Sequence, residues 1–468
     1  MIGFIRKLLK DRRGNALAIA AACMPLVIGA AGLATDTIQW TLWKRQLQRA
    51  ADSAAIAGVY DRQAANGATT TVSATVSHDL TLNNHVWMAL KSGYPQVSFP
   101  GNSGAMTNQV KVTLAVQQRL PFSSFFMSSP PTIIANATAA AVPAGGSACF
   151  EALETGTATG LNFTGNAGIE APDCDGFSNA SGSNTSVAKG SSDITLNSIG
   201  GVGGIQQSNN FHVGSYRPYS PALADPFATV NPDPSLMKCA TTTVVQGGKN
   251  ITSLIGLDEN TNLSSLDPGT NCFSSLSVSS NKTLNLPSGT YYINGGDANI
   301  QGNLSCTSCT IVLTNLDTAP TATIGNIKVN ASSNINMTAP TSGTFKGIAI
   351  FQDRRATDCN QCNKINGNSG SIIQGAIYFP KQELEYNGTG TTSAICTMFV
   401  ARRLNFSGNS TTTNKFSKLD DCAAYGLGGA PTVSMVRLVG WSRTAPVLPA
   451  TSAARRSSSS PWSRRCSR

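Results

Sequence analysis

Residues 14–35 carry no charged side chain, and 16–34 are almost wholly apolar. About 20 such residues wound as an α-helix span roughly 30 Å, the thickness of a bilayer's hydrocarbon layer. Five basic residues (Arg6, Lys7, Lys10, Arg12 and Arg13) precede the run, and the next basic residue is Lys44. That asymmetry predicts a cytoplasmic N-terminal flank over 1–13, an anchor over 14–35 and the bulk of the chain on the far side of the membrane. Pro25 and Gly29 are compatible with a spanning helix. The competing reading is a cleaved secretory signal with a loose small-x-small site within 30–34. The length of the run, and a helical pattern that continues through that site, favour a retained anchor.

Beyond Asp36 the helix turns amphipathic. Trp40, Trp43, Leu47, Ala50 and Ala54 recur at spacings of three and four and share one stripe. Lys44, Arg45, Gln48 and Arg49 fall mostly elsewhere, and Gly58 reads as a stop. The expectation is a long helix over 36–58, continuous with the anchor as a rod of about 65 Å over 15–58. Its stripe either packs on its own domain or bundles with similar helices through small alanine faces, and the rod would hold the module away from the bilayer. Residues 60–142 read as mixed α/β. A short helix fits within "VSATVSHDLTLNNHVWMALKSG", and Val110, Val112, Leu114 and Val116 alternate as in a half-buried strand. The small-residue stretch "AAAVPAGGSA" reads as a joint closing an α+β domain over 36–145.

After Cys149 the texture changes to short β-prone runs separated by Gly, Asn and Ser. Gly302, Gly325, Gly347, Gly367, Gly388 and Gly408 follow one another at 23, 22, 20, 21 and 20 residues. A period near 20 with several short strands per repeat predicts a right-handed parallel β-helix over 146–439, with glycine at left-handed corners and asparagine stacking along the turns. A β-sandwich is the alternative. The proline-containing stretch around 220–270 reads as a loop draped along the solenoid. Residues 440–468 hold six arginines and no acid, and are expected to form a disordered basic tail.

The net charge of +10 invites a nucleic-acid reading, but removing 1–13 and 440–468 leaves 23 basic and 23 acidic residues. A neutral body has no electrostatic footprint for nucleic acid. Charged residues are only 12% of the chain, which suits an extracytoplasmic β-rich protein. Cys23 lies in the anchor and Cys466 in the tail. The other ten (Cys149, Cys174, Cys239, Cys272, Cys306, Cys309, Cys359, Cys362, Cys396 and Cys422) are an even number in an exported body, which predicts disulfides of unspecified connectivity. "CTSC" and "CNQC" have zinc-ribbon spacing, but the compartment and the absence of flanking histidine favour disulfides. Glu383 and Glu385 would share a face of a strand, and Asp420 and Asp421 form an acidic doublet, each more simply a solvated face or turn than a catalytic pair. His78, His85 and His212 are scattered, and no hydrolase, zincin or P-loop motif occurs. No catalytic residue, metal or cofactor is expected.

The basic flank with "RRGNALAIAAACMPLVIGAAGLATD", then "KRQLQRAADSAAIAG", resembles the N-terminal segment of TadE/TadG-like proteins of the bacterial Flp (tight-adherence) pilus assembly system. The resemblance continues in the paired strand-like runs "QVKVTLAVQQRLPFSSFF" and "TIIANATAAAVP", and thus covers roughly 11–143. A second stretch, "APTSGTFKGIAIFQDR" through "CTMFVARRLNFSGNST", is similar to the C-terminal regions of TadG-like proteins. Prepilin-type members have glutamate five residues past the processing glycine. After Gly14 that place is held by Ile19, so processing into a fibre subunit is not expected. The metal-binding D-x-S-x-S signature of some relatives does not occur. The resemblance implies a non-enzymatic assembly component anchored once in the inner membrane, N-terminus cytoplasmic and body periplasmic, with other pilus-assembly proteins and cell-wall or surface polysaccharide as the partners to consider. A β-helical polysaccharide-binding or polysaccharide-degrading envelope protein, or a surface adhesin, are the alternatives.

Overall fold

A computed structural model of the chain describes residues 14–82, 89–247, 249–368, 371–389, 392–408, 411–415, 422–423, 427 and 432–441. One helix, α1 (Gly14–Ala64), contains both the apolar run and the amphipathic stretch without a break, with Pro25 inside it. At 1.5 Å per residue it is about 77 Å long. Among the described residues it is the one helix long and apolar enough to cross a membrane. Gly58 is not the stop that the sequence suggested. A Cβ there would come within 2.9 Å of Val110 Cγ1 and 3.2 Å of Val72 and Val76, so the glycine permits close packing within the helix. The stop comes after Ala64, where Asn66 and Gly67 adopt positive φ and the Gly67 N–H donates to the Arg62 carbonyl at 2.8 Å.

The second half of α1 lies on an antiparallel sheet together with α2 (Val72–Leu82). The sheet runs β1 (Gln96–Ser98), β2 (Thr107–Val116), β3 (Ile133–Ala152), and then the strand Thr432–Trp441 from the far end of the chain. Val110, Val112, Leu114 and Val116 are all fully buried, as their alternation predicted. Opposite them, Ala135, Ala137, Ala139 and Ala141 of β3 are buried and small. They let α1 approach closely with Ala51, Ala54 and Ala55. The strand-like run ending "RLPFSSFF" is strand only to Val116, and the rest is loop with a short 3-10 turn at Ser123–Phe125.

Two boundaries differ from expectation. The stretch "AAAVPAGGSA" is not a joint but the middle of β3, a 20-residue strand shared by both parts of the fold. Its first half pairs with β2 and its last residues with parallel strands of the body. The C-terminal strand pairs with β3 from Thr432↔Ser147 to Trp441↔Ala137, so residues placed at the end of the body and the start of the tail complete the N-terminal unit instead. The rest of the tail, 442–468, lies outside the described residues.

The body is built from parallel pairings that form three ladders. The first ladder contains one register column from Cys272 through Tyr292, Val312, Phe351, Tyr378, Val400, Glu151, Phe177 and Gly200 to Arg217. The second links Leu276–Val278, Ala298–Ile300, Ile327–Val329 and Asn363–Asn368 and continues through Leu404↔Leu161. The third includes Thr283–Leu286, Asn303–Cys306 and Ile335–Thr338. The chain visits them in rotation. Strands of the first ladder are buried on both faces, as in Cys309–Thr314 and Ile348–Gln352, and read as continuous apolar runs. Strands of the second alternate buried, exposed, buried, because one face meets water. Of the six periodic glycines, Gly367, Gly388 and Gly408 share one column, which continues past Gly408 to Gly165 and Gly190. Gly325 instead stacks on Gly296 before Ile327–Val329, and Gly347 precedes Ile348–Gln352, so those two mark other corners.

Order along the stack is not order along the chain. From β3 the chain winds away to Phe211–Arg217, then travels back as a strap over 218–271, and winds from Cys272 towards its starting point. The two runs meet where Phe399 pairs with Phe150 and Leu404 with Leu161. The interior of this junction is aromatic: Phe150 stacks on Phe399 at 5.4 Å and Phe163 on Phe406 at 5.3 Å between ring centroids. The strap lies along the first ladder as the prolines suggested, apart from an exposed hairpin, Thr241–Gln246 with Lys249–Leu254.

Candidate functional site

The stripe on α1 is occupied within the chain. Leu47 and Ala54 are fully buried, Trp43 is 6% exposed, and Trp40 and Ala50 are half-buried. Leu47 and Ala54 belong to the core formed with β2 and β3, and Ala50 packs against it. Gln48 Nε2 donates to the Asn136 carbonyl at 2.9 Å, and Arg62 Nη1 to the Gln109 carbonyl at 2.7 Å, so α1 is fixed along the sheet. Within the chain the stripe is used for intramolecular packing, in a core shared with β2, β3 and α2. The module sits alongside the rod from Gly32 onward. By contrast Leu26, Val27 and Leu33, within the uncharged run, are 73%, 66% and 55% exposed.

The ten body cysteines form five disulfides: Cys149–Cys174, Cys239–Cys272, Cys306–Cys309, Cys359–Cys362 and Cys396–Cys422. Each C-x-x-C closes on itself. Cys306–Cys309 spans the turn between Asn303–Cys306 and Cys309–Thr314, while Cys359–Cys362 lies in the loop before Asn363–Asn368. The two pairs therefore sit at different corners and do not converge on one four-thiolate centre. Cys149–Cys174 joins neighbouring strands, and Cys239–Cys272 ties the middle of the strap to the first strand of the returning run. Cys23 is exposed on α1.

Polar groups hold the strap and the junction. Asn179 and Leu223 exchange two hydrogen bonds at 2.9 Å. Tyr378 donates its hydroxyl to Asp225 Oδ2 at 2.6 Å, and Phe227 meets the Tyr378 ring edge to face. Arg354 donates to Tyr378 and to the carbonyls of Phe227 and Val230. Burial, then the Asp225 carboxylate, push the Tyr378 phenol up. Glu151 sits in the same ladder, fully buried, with neither carboxylate oxygen meeting a protein donor. Burial first, and Asp225 second, push its carboxyl well above the usual range. The sequence gives no local sign of this latch, because Asp225, Arg354 and Tyr378 come together only when the strap folds back.

At the junction Glu154 accepts from Arg402 Nε at 2.9 Å and from Arg403 Nη1 at 2.7 Å, and Asp358 bridges the same two arginines. Burial alone would raise the Glu154 carboxyl. Hydrogen bonds from Arg402, the Gly156 N–H and Arg403 outweigh it and hold it at about 2. Glu383 and Glu385 do share a face of their strand. Glu383 lies 3.7 Å from Arg403, and Glu385 bonds Lys364 at 3.2 Å and Asn387 at 2.8 Å. Burial raises the Glu383 carboxyl against the opposing pull of Arg403. His212 pairs with Asp193 at 3.3 Å on the surface, and His78 is exposed on α2. His85, Asp420 and Asp421 lie outside the described residues. A shallow cleft of about 300 Å³ on the second ladder is lined by Asn299, Gln301, Lys328, Asn330 and Lys364 among others, with no carboxylate in its lining.

Residues 14–66 match the family model described as "Putative Flp pilus-assembly TadE/G-like". No curated protein and no solved structure matches the chain. The matched segment is α1 with the turn that ends it, the element that carries both the apolar run and the buried stripe.

Proposed function

We propose that the chain, whose residues 14–66 match a TadE/G-like family model, is a non-catalytic, membrane-anchored structural component of Flp pilus assembly. The observation that carries the proposal is the division of α1. Its matched helix exposes large apolar side chains from Ile19 to Leu33 and buries a regular stripe beyond. A run of this length with Leu26, Val27 and Leu33 outward suits lipid contact, since a soluble surface rarely keeps so large an apolar patch. The five basic residues before it support an N-terminus in the cytoplasm and a body in the periplasm. Five disulfides suit that oxidising compartment.

The body is then a right-handed parallel β-helix. Three parallel ladders visited in rotation support this architecture, and right-handed connection between parallel strands is the general rule. A scaffold role is favoured because three carboxylates of the junction are held in ion pairs: Glu154 and Glu383 by Arg403, and Glu385 by Lys364. Glycoside cleavage needs two carboxyl groups facing a shared substrate.

Deletion of the gene in pilus-expressing cells, with complementation, tests the reading. The expected result is loss of assembled pili, restored by the full chain, which co-purifies with assembly proteins after cross-linking from membranes. Pili unaffected by the deletion would overturn it. So would polysaccharide turnover by the purified chain that disappears in Glu383→Gln, which would establish the enzymatic alternative.

A further inference from the structure

The loop between β2 and β3, residues 117–132, does not fold over the sheet. At the sheet's edge Lys44 Nζ donates to the Ile134 carbonyl, whereas the loop's tip meets α1 much nearer the N-terminus. The Ser123 N–H donates to Asp36 Oδ2 at 2.5 Å, in a contact that leaves Asp36 3% exposed. The Phe122 ring lies against Gly32, where a Cβ would sit 2.1 Å from its Cδ1. Lys44 and Gly32 are 12 residues apart, so the tip hangs about 18 Å below the sheet along the helix. Gly32 lies three residues inside the uncharged run.

At that level the short turn Ser123–Phe125 presents Phe125 and Phe126 to the surroundings, 84% and 80% exposed. The loop contains one charged residue, Arg119, which is exposed, and no acid. Adjacent exposed aromatics with a lone cation suit a bilayer interface, where rings enter the acyl boundary and a basic group meets phosphate. The position is set by α1 itself: Asp36 is the first charge after the run, and the loop is bonded to it.

We infer that the 117–132 loop is a second membrane contact, inserting Phe125 and Phe126 into the phospholipid leaflet beside α1, with Arg119 at the headgroups. This rests on the membrane-anchored reading of α1. Two contacts on one leaflet fix the rotation and tilt of the sheet, which a single helix crossing does not. Gly32 is what admits the loop, because any side chain there would displace Phe122.

The test uses the full chain in phosphatidylethanolamine–phosphatidylglycerol nanodiscs, with a benzophenone photoprobe placed singly at Phe125, Phe126, Leu26 or Tyr219. Leu26 reports the span. Tyr219 is 67% exposed, and its carbonyl accepts from Tyr60 near the far end of α1, about 36 Å beyond Asp36. The expected result is phospholipid adducts at Phe125, Phe126 and Leu26 and none at Tyr219, with Gly32→Leu abolishing the adducts at 125 and 126 but not at 26. Lipid adducts at Leu26 alone, or protein adducts from 125 and 126, would overturn the loop's role while leaving the anchor intact. No lipid adduct at Leu26 would overturn the anchored reading and this inference with it.

Discussion

Phe163 and Phe406 belong to runs of chain separated by the whole strap and returning stack, yet their rings lie 5.3 Å apart with planes 17° from parallel. They are 0% and 2% exposed. Phe406 also meets Phe150 at 5.6 Å and Phe399 at 5.5 Å. Truncating a buried phenylalanine to alanine removes its transfer energy and leaves a cavity, together about 3–5 kcal/mol. A well-oriented aromatic pair contributes about 0.5–1.5 kcal/mol more than area alone. Phe163→Ala and Phe406→Ala should each cost about 3–5 kcal/mol, and the double variant less than their sum by about 1 kcal/mol, since the second truncation has no ring left to lose. Urea unfolding of the detergent-solubilised chain, followed by circular dichroism, gives the three values. Hydrogen exchange should show amides of Leu161–Phe163 and residues 404–406 opening together in either single variant. Strict additivity, or exchange confined to the mutated strand, would refute the claim that the two runs are held by these rings.

Acid should loosen the junction through Glu154. Its folded pKa of about 2 lies below the ordinary glutamate value, so its contribution is full above roughly pH 4.5 and lost as pH falls towards 2. With screening at this partly open cluster the effect is on the order of 2 kcal/mol, visible as a fall in Tm over that window that Glu154→Gln flattens. Glu151 has the opposite sign: its raised pKa means that the folded state is penalised as pH rises and the carboxyl ionises. Glu151→Gln should therefore leave Tm at pH 8 unchanged or higher, and a fall of several degrees would show that the carboxylate is structurally required. Replacing Cys239 and Cys272 by serine releases the second half of the strap, a loop closure of 33 residues worth about 3–4 kcal/mol in the chain-entropy account. Faster tryptic cleavage within 240–271 is expected, and an unchanged digest would count against the strap's dependence on that bond. Truncation after Trp441 should leave Tm unchanged. Truncation before Thr432 removes a strand paired with β3, including fully buried Val433, and should lower stability by on the order of 3 kcal/mol. Equal melting curves for the two truncations would show that the returning strand contributes nothing.

Features that depend on local chemistry were legible in the chain. An uncharged run of bilayer length, the alternation of Val110 through Val116 and the two spacings of three and four on α1 each follow from the period of the backbone, and each is present as an element. An even set of ten cysteines in the body carried the prospect of disulfides, and the proline-containing stretch carried the draped strap. The tertiary structure alone decided which surfaces these elements meet. Whether the α1 stripe served a neighbour or its own sheet depended on the small faces of Ala135 to Ala141, whose register is set by pairing with β2. Gly58 reads as a stop from its type and is a contact glycine only because Val110 arrives opposite it. The continuous β3, the return of Thr432–Trp441 to it and the aromatic seam between Phe150, Phe163, Phe399 and Phe406 all join residues far apart in the chain. Periodicity reports which face of an element is apolar. It carries no record of the partner, because burial against any close-fitting apolar surface satisfies it equally, and only closure of the whole chain selects one.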